Sequence, residues 1–196
     1  GGYIAEHVPG GNIIVVGGAA TDSNGILYRE KGVEAIQAKI DSGDYTVIAD
    51  QYCDGWSPEV AMKAVENALT QNNNDVAAVL CPNDGLAGGA IEALAAQDLA
   101  GKVVVTGGDG ELAAMKRIAA GTQTMTILKP SAKIAGAAAE AIDAFLSGGT
   151  PAWTGSIQNG AGEIQAALVD MVVITADNLK SEIIDAGIFS EAEIYG

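Results

Sequence analysis

Short runs of β-branched residues alternate along this chain with longer stretches whose apolar positions recur every three or four residues. Residues 12–17 (NIIVVG) form the first run, continuous enough for a parallel strand buried on both faces. Residues 21–42 then place Ile26, Val33, Ile36 and Ile40 on one helical face. Residues 45–52 predict a second strand. Ser57 is suited to cap the next helix, with Pro58 in its first turn. That helix runs to about Gln71 and buries Ala61, Val65, Ala68 and Leu69, and the run Asn72, Asn73, Asn74, Asp75 turns the chain. Residues 76–81 predict a third strand, 84–100 an alanine-rich helix, 102–106 a fourth strand, 111–120 a fourth helix and 124–129 a fifth strand. Beyond Pro130 the pattern changes. Residues 131–147 predict a helix with Ile134, Ala138, Ile142 and Phe145 or Leu146 on one face. Residues 148–162 read as loop, 164–169 and 171–175 as extended segments, and Asp177 or Asn178 as the cap of a last helix to about Ala186.

Repeated βα units of this kind imply an α/β fold, a doubly wound parallel sheet with right-handed crossovers. Such sheets bind ligands beyond the carboxyl ends of their strands. The loops there are residues 18–24, 53–57, 82–85 and 107–110. They carry Asp22 and Asn24, Trp56, Asn83, and Asp109, and Lys129 ends the fifth strand. Carboxylates and amides can engage two hydroxyls at once, and a lysine adds charge-assisted donors. An indole offers an apolar face to the C–H side of a sugar. The set suits a neutral polyol. Each position also has a purely structural reading. Asp22 or Asn24, Asn83 or Asp84, and Asp109 are all placed to cap helices, and Trp56 could anchor a core.

Charge and composition narrow the field. With 25 acidic against 10 basic residues the net charge is −15, a field that repels nucleic-acid phosphates and anionic lipid. No apolar run is long enough to span a membrane. The one histidine, His7, lies near an end expected to be disordered, and no nucleophile motif accompanies it. No catalytic set, metal site or cofactor motif emerges. Asp22-Ser23-Asn24-Gly25 opens like a calcium loop but lacks the downstream glutamate. Gly107, Gly108 and Gly110 follow the fourth strand without completing a dinucleotide fingerprint. Asp22, Asp84 and Asp109 are carboxylates without a defined acid/base pairing. Cys53 and Cys81 end the second and third strands. If the first strand lies between those two, they are roughly 9–10 Å apart, and the expectation is two free thiols.

Longer strings carry a resemblance. Residues 50–59 (DQYCDGWSPE), Glu66 to Thr70 followed by the asparagine run, Asn83-Asp84 through Gly88-Gly89-Ala90-Ile91, and residues 116–126 (KRIAAGTQTMT) with Lys129-Pro130 resemble the bacterial D-xylose-binding proteins. These belong to the type I periplasmic sugar-binding proteins of ABC transporters. The resemblance runs over nearly the whole chain. It implies two α/β lobes joined by three crossing segments, with sugar trapped between them by hinge closure. It implies that Trp56 stacks on the pyranose ring while Asp22, Asn24, Asn83, Asp109 and Lys129 bond its hydroxyls. Ser23, Gly25 and Gly85 depart from the family pattern near the loops.

The resemblance further implies a domain plan. Residues 1–123 would be the C-terminal lobe. Residues 124–163 would be a crossing strand, helix and loop of an N-terminal lobe otherwise absent from this chain. Residues 164–196 would return to the first lobe. The expected function is an extracytoplasmic solute-binding protein, not an enzyme, in the periplasm or lipid-anchored at the cell surface. It would hand a xylose-like monosaccharide to an ABC transporter permease. The alternatives are a sensor presenting sugar to a membrane histidine kinase and the effector domain of a sugar-responsive transcription regulator. On this plan the missing lobe is itself a partner, and the isolated chain is expected to bind sugar weakly and to self-associate.

Overall fold

A computed structural model describes residues 1–196. The chain opens with helix α1 (Gly2–His7), then strand β1 (Gly11–Gly17), helix α2 (Ser23–Asp41), strand β2 (Tyr45–Tyr52) and helix α3 (Pro58–Gln71). Strand β3 (Ala78–Leu80), helix α4 (Asp84–Ala95), strand β4 (Val104–Val105) and helix α5 (Leu112–Ala119) follow. The first four strands form one sheet in the order β2-β1-β3-β4, all parallel. This is the doubly wound sheet expected from the alternating pattern.

Strand periodicity explains the two cores. On β1, Ile14 and Val16 point into a cluster with Val79 and Cys81 of the β3 segment and with Ala61, Val65, Leu86, Ala90 and Leu94 from α3 and α4. The intervening residues Ile13 and Val15 face the other way. There they meet Ala78, Leu80, Tyr45, Ile36 of α2 and Ile4 of α1. Successive side chains leave a strand on opposite faces, so one continuous apolar run supplies two cores.

Several boundaries and faces differ from the sequence reading. Residues 2–7 form a helix rather than a disordered end: Ile4 is buried, and the Tyr45 hydroxyl donates to the carbonyls of Ile4 (2.9 Å) and Val8 (2.6 Å). His7 is exposed and stacks on Tyr3, with ring centroids 4.0 Å apart. Helix α2 turns Gly25, Gly32 and Ile36 inward and leaves Ile26 exposed. The inner face is built on absent side chains: a Cβ on Gly25 would lie 2.3 Å from the Ala19 carbonyl oxygen. Val33, Ile36 and Ile40 pack inward as expected, and a hydrophobicity pattern, counting such glycines as neutral, misplaces only Ile26. Helix α4 stops at Ala95 instead of running to about Ala100. Asp98 adopts φ +56°, and the Leu99 amide donates back to the Leu94 carbonyl at 2.9 Å, a left-handed helix end. Leu99 and Ala100 then pack on the core as loop residues.

Beyond α5, strand β5 (Thr126–Leu128) pairs with the later strand β8 (Val172–Ile174), and Leu128 forms a parallel bridge with Asp109. Between them lie helix α6 (Ser131–Leu146) and an antiparallel hairpin of β6 (Gly155–Gln158) and β7 (Glu163–Ala166). The hairpin occupies part of the stretch expected to be loop. Its turn is closed by Asn159, whose Oδ1 accepts from the amides of Ala161 and Gly162. The expected last helix is present but short and π-helical, Lys180–Ile184, introduced by Asn178, whose side chain accepts from the Thr175 amide. A short terminal helix α7 (Glu191–Tyr195) carries a reciprocal Ser190–Glu193 capping box.

The chain divides into two compact units: residues 1–128 with 173–196, and residues 129–172. The first contains the sheet and both cores. In the second, no residue of α6 is buried. No helix is long and apolar enough to cross a membrane.

Candidate functional site

Four strands end side by side at the carboxyl edge of the sheet, and the loops leaving them carry five of the six residues singled out from sequence. Read across the sheet order, the row is Trp56 after β2, Asp22 and Asn24 after β1, Asn83 after β3 and Asp109 after β4. With strands about 4.8 Å apart, the four loop origins span roughly 14 Å.

At one end of the row Asp22 organises its neighbours. It caps α2, accepting from the Asn24 amide through Oδ1 at 2.8 Å, and accepts from the Trp56 indole through Oδ2 at 3.1 Å. Trp56 stands in left-handed backbone (φ +56°) after Gly55 at φ +64°. Its ring lies against Gly18, where a Cβ would come within 2.3 Å of the ring carbons. The glycine at position 18 therefore seats the indole, and the Asp22 carboxylate fixes its rotation. Capping and ligand roles are compatible here, because a carboxylate has more acceptor sites than these two bonds use.

At the other end Asn83 caps α4, its Oδ1 accepting from the Leu86 amide at 3.0 Å. Asp109 does not cap α5; Glu111 holds that position. Asp109 instead sits at φ +96° in the loop, its amide bonded to the Ile127 carbonyl at 2.9 Å. Between these residues lies a group that the sequence offered as an alternative cap and as a carboxylate without a defined acid/base partner. Asp84 is completely buried, and its carboxylate accepts four hydrogen bonds. Gln123 Nε2 (2.9 Å) and the Thr126 hydroxyl (2.7 Å) reach Oδ1, while the amides of Gly110 and Glu111 (both 2.9 Å) reach Oδ2. Burial pushes the Asp84 carboxyl above its usual range, and the four donors act in the opposite sense. Burial and the neighbouring carboxylates Asp84 and Asp109 likewise raise Glu111.

The Gly107-Gly108 doublet follows from the same packing. A Cβ on Gly107 would fall 2.2 Å from Asp84 Oδ1 and one on Gly108 2.6 Å from the Pro82 carbonyl oxygen. These glycines make room for the carboxylate and the β3 loop, which gives the doublet a structural purpose. Cys53 and Cys81 are both free and buried, with β1 lying between the strands they follow. No group of three His, Cys, Asp or Glu side chains is arranged to hold a metal ion. Lys129 follows Leu128 directly and is the first residue of the second unit, so its place relative to the row is not part of the geometry of the first.

Known proteins share this sequence and architecture. The D-xylose-binding periplasmic protein of Escherichia coli is 42% identical over 191 residues, covering 97% of this chain and 58% of its own length. The protein of the same description from Haemophilus influenzae is 40% identical, with 95% and 56% covered. The chain thus spans somewhat more than half the length of these relatives. Among solved structures, a carbohydrate transporter solute-binding protein from Chloroflexus aurantiacus in complex with D-glucose superposes with a TM-score of 0.87 at 26% identity, covering 97% of this chain and 64% of that one. The family described as periplasmic binding protein domain matches residues 1–150. With that match over most of its length, and with relatives that share two fifths of its residues, the chain belongs to the periplasmic binding protein family.

Proposed function

We propose that this chain forms the sugar-binding half of an extracytoplasmic solute-binding protein that captures an aldopentose, D-xylose above all, for an ABC transporter permease. The observation that carries this reading is the row at the sheet edge: an indole seated on Gly18 beside Asp22 and Asn24, followed by Asn83 and Asp109. In this role Trp56 covers the C–H face of the pyranose. Asp22, Asn24, Asn83 and Asp109 bond its hydroxyls, and Lys129 adds a charged donor. The names of the relatives point to D-xylose, and the solved neighbour holds a related hexose. The role is that of a binding protein, with no chemical step.

The chain passes between its two units at Leu128–Lys129 and again at Val172–Val173. In this reading those are two of the crossing segments about which the lobes of the whole protein close. Residues 129–172 are then a piece of the second lobe, whose remainder lies in sequence outside this chain. Closure would bury the sugar from both sides, so most of the affinity depends on the two-lobed protein.

The test is calorimetry of the two-lobed protein against a panel of pentoses and hexoses, D-xylose included. Trp56→Ala is expected to weaken binding of the preferred sugar by about 2–4 kcal/mol, the range of a central aromatic anchor. Wild-type protein that binds none of the sugars, or a Trp56→Ala variant with undiminished affinity, would remove the basis of this reading.

A further inference from the structure

The buried carboxylate of Asp84 is the one charged group of the first core without a role in the row of proposed sugar contacts. Asp84 nevertheless bonds the loop that carries one of them both before and after that residue. We infer that Asp84 is a positioning residue: it holds the loop of residues 107–111 in the conformation that presents Asp109 to a bound sugar. The inference rests on Asp109 being a sugar ligand, as proposed above.

The loop is gripped before and after Asp109 by different means. On the N-terminal side the Gly108 carbonyl accepts from the Asp84 amide at 2.8 Å, and strand pairing adds Asp109 N–H to the Ile127 carbonyl. On the C-terminal side only the Asp84 carboxylate receives the Gly110 and Glu111 amides. Asp109 between them has φ +96°, a backbone state that a non-glycine residue keeps only when its surroundings enforce it. Removing the acceptor of the two following amides frees that backbone to relax.

The orientation of the carboxylate is itself imposed. Arg117 Nε donates to Gln123 Oε1 at 2.8 Å, so the Gln123 amide must turn its NH₂ toward Asp84. Arg117 Nη2 also donates to the Asp84 main-chain carbonyl at 2.7 Å. The arginine thus brings positive charge close to the buried carboxylate and sets the amide that bonds it. Thr126, on the strand whose Leu128 pairs with Asp109, supplies the last donor. Only removal of the carboxylate deprives all four donors of their acceptor, because an asparagine could keep its Oδ1 on the Gly110 and Glu111 amides and turn its NH₂ to the Thr126 hydroxyl, which can accept.

The decisive experiment is a double-mutant cycle combined with amide exchange. In the two-lobed protein, Asp84→Ala is expected to lower D-xylose affinity about tenfold to a hundredfold, the scale of two lost bonds to a buried charge. On an Asp109→Asn background the same change should cost less than about threefold, since coupled residues are not additive. In the 196-residue chain, exchange at the Gly110 and Glu111 amides should accelerate by about a hundredfold or more while β1 amides stay protected. If Asp84→Ala does not fold, Thr126→Val and Thr126→Ser take its place. The valine should lower affinity only where Asp109 is intact, and the serine should remain within about twofold of wild type. An equal loss on both backgrounds, or no loss at all, overturns the inference. Should wild-type protein bind no sugar, the functional proposal falls on its own, and unchanged exchange at Gly110 and Glu111 would then refute the anchoring as well.

Discussion

Cys53 and Cys81 show how one residue's environment can be read down to its titration. Both thiols are buried at the ends of strands that flank β1. Burial, with Asp54 nearby, pushes Cys53 from its ordinary 9.0 up to about 11, and burial pushes Cys81 up as well. A thiol whose folded value lies above its unfolded value stabilises the fold below pH 9. That contribution is lost as pH rises from 9 through about 11, because only the unfolded chain ionises there. Urea midpoints measured from pH 9 to 11 should therefore fall, by about 1.4 kcal/mol of stability per pH unit for each thiol. Cys53→Ala should lessen the slope; an identical slope in that variant would contradict the assignment. A thiol reagent should label neither cysteine in native protein and both in denaturant. At Gly107 a methyl group would displace the Asp84–Gln123 bond, so Gly107→Ala should destabilise by about 2–4 kcal/mol, the cost of overpacking a buried polar network. A melting temperature equal to wild type would show that the network yields more easily than its geometry implies.

Two glycines within helices make opposite statements at the level of the element. Gly89 lies in α4 where it crosses the first turn of α3, and a Cβ there would stand 2.0 Å from the Pro58 carbonyl oxygen. Gly136 lies within α6 with nothing within 4 Å of its Cβ position. The same substitution should thus have opposite signs. Gly89→Ala should destabilise severely by forcing α3 and α4 apart. Gly136→Ala should stabilise α6 by about 0.5–1 kcal/mol, because the helix no longer restrains so free a backbone. Parallel thermal melts of the two variants check this, and a stabilising Gly89→Ala would mean that the helices approach less closely than described. The sequence marks α4 as alanine-rich, which permits close approach to the sheet. That the close neighbour is α3, through Gly89, required the structure.

Considered as a whole molecule, the two units differ sharply in how they bury their apolar residues. The first has two closed cores. In the second, Ile134, Ile142, Phe145 and Leu146 of α6 are exposed, Leu146 by 83%, as are Ile157, Ile164, Leu168 and Met171. Covering each large side chain gains about 1.5–3 kcal/mol, so water-exposed faces of this extent favour association. The 196-residue chain alone should therefore show a mass above that of the monomer by light scattering, and charged substitutions at Ile142 and Phe145 should return it to the monomer. A strict monomer at all concentrations would count against this. Sugar affinity of the isolated chain should also be well below that of the two-lobed protein.

Read along the chain alone, the residues yield the doubly wound class, the strands and main helices of residues 11–128, and the loop edge at which the site is proposed. Those features depend on local periodicity and on caps such as Ser57, whose side chain does accept from the Val60 amide. Long strings shared with one family also located the residues of the proposed site. Contacts made across the chain or through absent atoms emerge only once it is folded. The inward face of α2 is set by Gly25 and Gly32, the indole of Trp56 is seated by Gly18 and held by Asp22, and Asp84 gathers donors from residues 110, 111, 123 and 126. A periodicity sums each residue's own preference. It has no term for a glycine valued for the neighbour it admits, or for a buried carboxylate whose partners lie some 26 to 42 positions away.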